Sequence, residues 1–198
     1  MIIPGRGIKT AAISAAMLIF LINCTGQVSD IRVHDPVMIK QDGTYYLFCT
    51  GFGISVYSSA DMQNWERLNP VFDSPPEWAK EAVGGFRGHI WAPDISYHNG
   101  KYFLYYSVSA FGKNASCIGL ATNATLNPAD ENFKWVDQGK VIESVPGRDL
   151  WNAIDPNLVF DEKGTAWLTF GSFWRGMKLF RLNDELTAPA EPQEWFTV

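Results

Sequence analysis

Charge is scarce in this sequence, cysteine is scarcer, and a long apolar run is missing. Only 19% of residues are Asp, Glu, Lys or Arg, against 46% hydrophobic residues, a balance that supplies a core and argues against disorder. The 16 basic residues are outnumbered by 21 acidic ones, giving a formal charge of -5. No Lys/Arg block forms a stripe that could neutralise phosphates, so nucleic acid is excluded as a partner. Three cysteines, Cys24, Cys49 and Cys117, cannot form a dense disulfide framework, and no His–Cys spacing fits zinc. Cys49 lies inside an apolar strand pattern and reads as a buried free thiol. The apolar run at 11–22 would span only ~18 Å as a helix, against a hydrocarbon core of about 30 Å.

That short run follows Arg6 and Lys9, the order of a signal peptide, which is assigned to residues 1–29. Leu21, Ile22, Asn23 and Cys24 resemble a bacterial lipoprotein box, with Asn in place of the usual small residue before the cysteine. The expectation is export from a bacterial cell, as a secreted or periplasmic protein or one lipid-anchored at Cys24.

Aromatic residues are abundant: 8 Trp, 7 Tyr and 13 Phe, more than a small core needs, so some are expected to line a ligand site. From residue 31 onward no long helical period appears. Short aromatic and β-branched runs alternate with Gly, Asn and Asp turns, an all-β signature. Three segments align: DPVMIKQDGTYYLFCTG from Asp35, DISYHNGKYFLYYS from Asp94 and DPNLVFDEKGTAWLTFG from Asp155. Each reads aspartate, strand, Gly-containing turn, strand, and the leading aspartates are about 60 residues apart. Third-strand candidates follow at Ile54, Cys117 and Met177, and Trp65 and Trp135 fall in candidate outer strands. Four-stranded units repeated in this way predict β-propeller blades, about three of them within residues 30–198. Propellers close with roughly 4 to 8 blades, so the missing ones are expected from the rest of the gene product or from another chain. An accidentally self-similar β-sandwich is the alternative.

Innermost propeller strands begin near the axis, so Asp35, Asp94 and Asp155 are expected to converge on one funnel. Paired carboxylates suit a metal or sugar cleavage, in which one activates water and an acid protonates the leaving oxygen. The competing role for each is to cap turn amides. Pro36 and Pro156 fix the backbone just after two of the aspartates, whereas Asp94 follows Pro93. Trp91, Phe111, Trp151, Phe173 and Trp174 fall near the same strand mouths, as do the polar His34, His89, Asn152 and Ser172. Together they suggest a carbohydrate cleft.

The motifs VHDP from Val33, GHIWAPD from Gly88, YFLYYS from Tyr102, CIGLAT from Cys117, WNAIDPN from Trp151 and FGSFW from Phe170 resemble, in order, those of family-43 glycoside hydrolases, and among them the endo-acting arabinanases. The resemblance runs from about residue 33 to 189. It implies a five-bladed propeller that hydrolyses internal α-1,5-linked L-arabinofuranose bonds in arabinan or arabino-oligosaccharides with inversion. Asp35 matches the general base, and Asp155 the carboxylate that raises the pKa of the general acid and positions it. Implied substrate contacts are Asp35, Asn152, Ala153, Ile154, Asp155, Ser172, Phe173 and Trp174, with Cys117 near the sugar and Trp91 and Phe111 shaping the cleft. His34 is expected to orient the base.

In the family the general acid is a glutamate on the following blade, and none of Glu185, Glu191 and Glu194 sits in its motif. The acid is therefore expected beyond Val198, and these 198 residues alone are expected to be weakly stable or inactive. No cofactor is required by the residues present and no metal is assigned; calcium belongs, by resemblance, to the complete propeller. Alternatives are an exo-acting arabinofuranosidase or β-xylosidase of the same family, an inactive carbohydrate-binding propeller, or a purely structural one.

Overall fold

A computed structural model describes residues 30–198; the expected signal peptide and the resemblance to a lipoprotein box at Cys24 fall outside them. The first repeat forms β1 (Val37–Gln41), β2 (Thr44–Cys49), β3 (Gly51–Phe52), β4 (Ser55–Ser59) and β5 (Glu66–Arg67), followed by the short helix α1 (Glu77–Ala82). After β6 (His89–Ile90), the second repeat contributes β7 (Pro93–His98), β8 (Lys101–Ser109), β9 (Ser116–Asn123) and β10 (Val136–Ser144). The third gives β11 (Asn157–Phe160), β12 (Ala166–Phe170), β13 (Lys178–Arg181) and β14 (Trp195–Thr197).

These strands make three four-stranded antiparallel sheets, in the orders β1-β2-β4-β5, β7-β8-β9-β10 and β11-β12-β13-β14, while β3 pairs with β6. No sheet closes on itself. The aligned repeats are thus consecutive four-stranded antiparallel units, all-β as the sequence predicts. Their inner hairpins follow from turn chemistry. Asp42-Gly43 and Asn99-Gly100 both take positive φ, the requirement of a two-residue turn whose twist matches its strands. Trp65 and Trp135 each stand one residue before the outer strand rather than in it. Trp135 meets Phe48 of the first sheet edge-on at 5.8 Å, so a residue at the entry to the outer strand ties two sheets together.

The middle sheet is covered on both faces. Along β8, Tyr102, Leu104, Tyr106 and Val108 join a core shared with the first sheet and α1, whereas Phe103 and Tyr105 join a core shared with the third. This double burial is why KYFLYYSVS reads as a near-continuous apolar run and not as an alternation. Each large side chain so enclosed contributes about 1.5–3 kcal/mol of burial. The one glycine of β9 is required by its neighbour: a Cβ on Gly119 would lie 2.4 Å from the Tyr106 ring. The Tyr106 hydroxyl donates to Asp137 Oδ1 of β10 at 2.8 Å, and the Trp78 indole of α1 donates to Asp137 Oδ2 at 2.9 Å.

Candidate active site

Asp35 and Asp155 occupy equivalent steps in the first and third repeats, each in the left-handed region, with φ of 51° and 56°, and each followed by proline. Asp tolerates this conformation better than most residues, and it turns both carboxylates out at the entry to an inner strand. Asp35 is held from two sides. The Thr50 hydroxyl, just beyond β2, donates to its Oδ2 at 2.8 Å, and His34 Nδ1 lies 2.7 Å from the same oxygen. The Thr50 N–H in turn donates to the His34 carbonyl at 3.0 Å, which fixes the His34-Asp35 step against β2.

Asp155 is fixed through its backbone. Its N–H donates to the Ser107 hydroxyl at 2.9 Å, and that hydroxyl donates to the Ala92 carbonyl at 3.0 Å. Ser107 is fully buried near the end of β8, so the second sheet carries the turn from which the third sheet's aspartate projects. Burial pushes the Asp155 carboxyl above its ordinary range, and the negative charge of Asp35 pushes it the same way, against a smaller opposing effect of His34. Two carboxylates from sheets separated by a whole repeat therefore share one electrostatic environment.

Asp94 does not join them. It is 7% exposed and its Oδ2 accepts the Leu158 N–H of β11 at 2.8 Å, while Oδ1 accepts from Asn157 at 3.2 Å. The expected convergence of three aspartates is thus corrected to two. Asp94 lies within β7 and caps the neighbouring sheet's first strand, the turn-amide role weighed against a site role.

Two cavities share Trp91 and Phe111; Asp35 lines one of them, and Asp155 lines neither but follows Ile154, which lines the other. One, of about 630 Å³, is lined by His34, Asp35, Thr50 and His89 with those two rings. The other, of about 410 Å³, is lined by the same rings with Asn152, Ile154, Phe173 and Trp174. Sharing both rings, they adjoin as one cleft region, the first beside the base candidate and the second beside the aromatic turn at 173–174. Phe111 is 94% exposed and Phe173 80%, and nothing in the core calls for these rings to face water. Phe173 and Trp174 both take positive φ, costly for bulky residues; the turn closes with the Gly176 N–H donating to the Phe173 carbonyl at 2.8 Å. Ser172 precedes them, half-buried. Asn152 is buried and its side-chain oxygen accepts from Ser116, which leaves its amide nitrogen for the cleft.

Of the expected contacts, Ser172 lines neither cavity, and Cys117 and Ala153 are enclosed in the cores. Cys117 is 2% exposed within the core between the first and second sheets, and burial pushes its thiol up to about 11. Ala153 is fully buried in the other core. Neither lines either cavity. Conversely, Thr50 and Ser107 were not singled out by the sequence; each sits near a strand end as an ordinary hydroxyl, and only the fold brings them to the aspartates. Glu185, Glu191 and Glu194 line neither cavity. Among the described residues no group of three or more His, Cys, Asp or Glu side chains is arranged to hold a metal ion, so calcium is not given ligands here.

Residues 26–196 match the model of glycosyl hydrolases family 43. The chain belongs to that family. Among its relatives, an extracellular exo-α-(1→5)-L-arabinofuranosidase of Cellvibrio japonicus is 58% identical over 85% of this chain and 48% of its own length. An extracellular endo-α-(1→5)-L-arabinanase of Bacillus subtilis is 43% identical over 81% of this chain and 50% of its own. A solved structure, Cellvibrio cellulosa α-L-arabinanase complexed with arabinohexaose, superposes with a TM-score of 0.85 at 56% identity, covering 86% of this chain and 54% of that one. The chain thus spans about half the length of the curated relatives it matches.

Proposed function

We propose that this chain carries the base-bearing half of the active site of an exported, five-bladed family-43 hydrolase that cleaves α-1,5-linked L-arabinofuranose bonds with inversion. The observation that carries the proposal is the pairing of Asp155 with Asp35, which itself lines an aromatic cleft. Asp35, oriented by Thr50 and His34, deprotonates the water that attacks the anomeric carbon. Its partial exposure keeps a path for that water. Asp155 faces the leaving-group side, where its charge favours the protonated form of a neighbouring acid. Inverting hydrolysis needs a second group about 6.5–9.5 Å from the base; because Glu185, Glu191 and Glu194 line neither cavity, that role is assigned to a residue outside 30–198. Trp91, Phe111, Phe173 and Trp174 offer faces for furanose rings, and Asn152 a donor for a hydroxyl.

Release from chain ends is favoured by the 58% identity to a relative named as exo-acting, against 43% for one named as endo-acting. Internal cleavage is the second reading, favoured by the several relatives named as endo-arabinosidases. Export is supported by the two relatives named as extracellular; attachment through Cys24 would show as a lipid-sized mass increment on the mature N-terminal peptide.

The test is product analysis on linear arabinan with the full-length protein and its Asp35→Asn variant. Asp35→Asn is expected to lower turnover about 10²–10⁴-fold, as loss of a general base does, with the fold retained. Short products accumulating from the outset indicate exo action, and a ladder of oligosaccharides endo action. Undiminished turnover in Asp35→Asn would reject the assignment of the base.

A further inference from the structure

A second concavity, of about 1090 Å³, lies on the outer rim between β10 and β14, behind the segments that build the cleft. Its floor holds Trp151 and Trp195, tilted against each other at 5.3 Å between ring centres. Its polar lining runs opposite to the protein's overall charge of -5: Lys140, Arg148, Arg175 and Lys178 face only Glu143 and Asp149. Both carboxylates are already engaged. Glu143 pairs with Lys140 and Arg148, and Asp149 with Arg148.

That leaves Arg175 and Lys178. Lys178 is 8% exposed, and its ammonium donates only to the Arg175 carbonyl and the Thr197 hydroxyl, each at 3.1 Å. Among the described residues no carboxylate lies within ion-pair distance of it. Both of its partners are neutral oxygens, so an acidic ligand would supply the counter-charge that the groove lacks. The exposed Arg175 guanidinium is tied to the groove by its own backbone, whose N–H donates to the Leu150 carbonyl at 3.0 Å; its planar fork suits a carboxylate.

We infer that this rim groove is a second glycan-binding site, one that takes a sugar bearing a carboxylate, a uronic acid residue, with Trp151 beneath the ring and Arg175 and Lys178 on the acid group. The groove and the cleft are built back to back from the same two segments. Leu150 and Trp151 line one and Asn152 the other, and Arg175 lines one and Trp174 the other. An acidic sugar held at the rim would therefore lie within a few residues' breadth of a neutral chain in the cleft. The inference rests on the groove's own charge and aromatic lining and not on the reaction assigned to the cleft.

The test is calorimetric titration of the full-length protein with α-1,4-linked trigalacturonate and, separately, with its methyl-esterified form, which keeps the backbone and removes the charge. Saturable binding is expected for the acid, at least tenfold weaker for the ester. It should weaken at least tenfold in Arg175→Ala, whose side chain is exposed, and in Lys178→Met, with melting curves confirming that each variant is folded. Asp35→Asn, in the cleft, should leave it unchanged. The proposal is overturned by no saturable binding, by equal affinity for acid and ester, or by binding that survives Arg175→Ala and is lost in Asp35→Asn.

Discussion

Asp35, Asp94 and Asp155 begin three aligned segments, and what separates them is the backbone each sits on. The two that precede proline take left-handed φ and turn outward; the one that follows proline lies inside a strand and caps its neighbour. Spacing alone shows that the three are equivalent in register, and not which way each carboxylate faces. Asp155 gives a pH prediction with a definite sign. Its folded pKa is raised, by burial first and by Asp35 second, so the folded state holds its proton longer than the unfolded chain does. Stability contributed by that proton is present below the ordinary aspartate range and is lost as pH rises through the raised value. Asp155→Asn is therefore expected to raise the melting temperature at pH 7, to lose that advantage near pH 3, and to lack hydrolysis at both; paired thermal scans check it. The family resemblance implies that Cys117 neighbours the sugar, but its side chain is enclosed. Cys49 and Cys117 are both free and buried, and burial raises both thiols. Neither is expected to react with iodoacetamide at pH 8 until the protein is unfolded, as intact mass would report.

The strands were the most legible elements, because turn chemistry and side-chain period agree. Asp42-Gly43 and Asn99-Gly100 require positive φ, and the apolar run of β8 announces a strand covered on both faces. Less legible were the links between sheets, which depend on single polar atoms. The sequence of Ser107 does not distinguish a buried bridge from a surface hydroxyl, and neither Thr50 nor Asp94 carries a local signal of its partner. These links are nonetheless where an element can be loosened. Asp94→Ala leaves the Leu158 N–H of β11 without its acceptor in a buried setting, a loss of about 1–3 kcal/mol. It is expected to appear as a lower denaturant midpoint with the slope unchanged. Gly119→Ala should cost a similar ~1–3 kcal/mol through overpacking against Tyr106, again measured by denaturant unfolding.

At the scale of the whole molecule, three antiparallel sheets are stacked so that two cores lie between them and one cleft gathers residues from all three. The first sheet's segment brings Asp35, the second supplies Ser107 and the neighbouring Trp91 and Phe111, and the third brings Asp155 with the aromatic turn at 173–174. No single repeat contains the site: the repeat pattern and the aromatic residues near the strand mouths predict its existence, while the hydroxyl partners Thr50 and Ser107 emerge only from the fold. The central claim is that Asp35 acts as a base toward water and never as a nucleophile toward sugar. The anomeric configuration of the first product formed from linear arabinan by the full-length protein, followed by proton NMR before mutarotation, tests it most directly. The account predicts that the β-anomer appears first, the inverted product of an α-linkage; initial release of the α-anomer would contradict it.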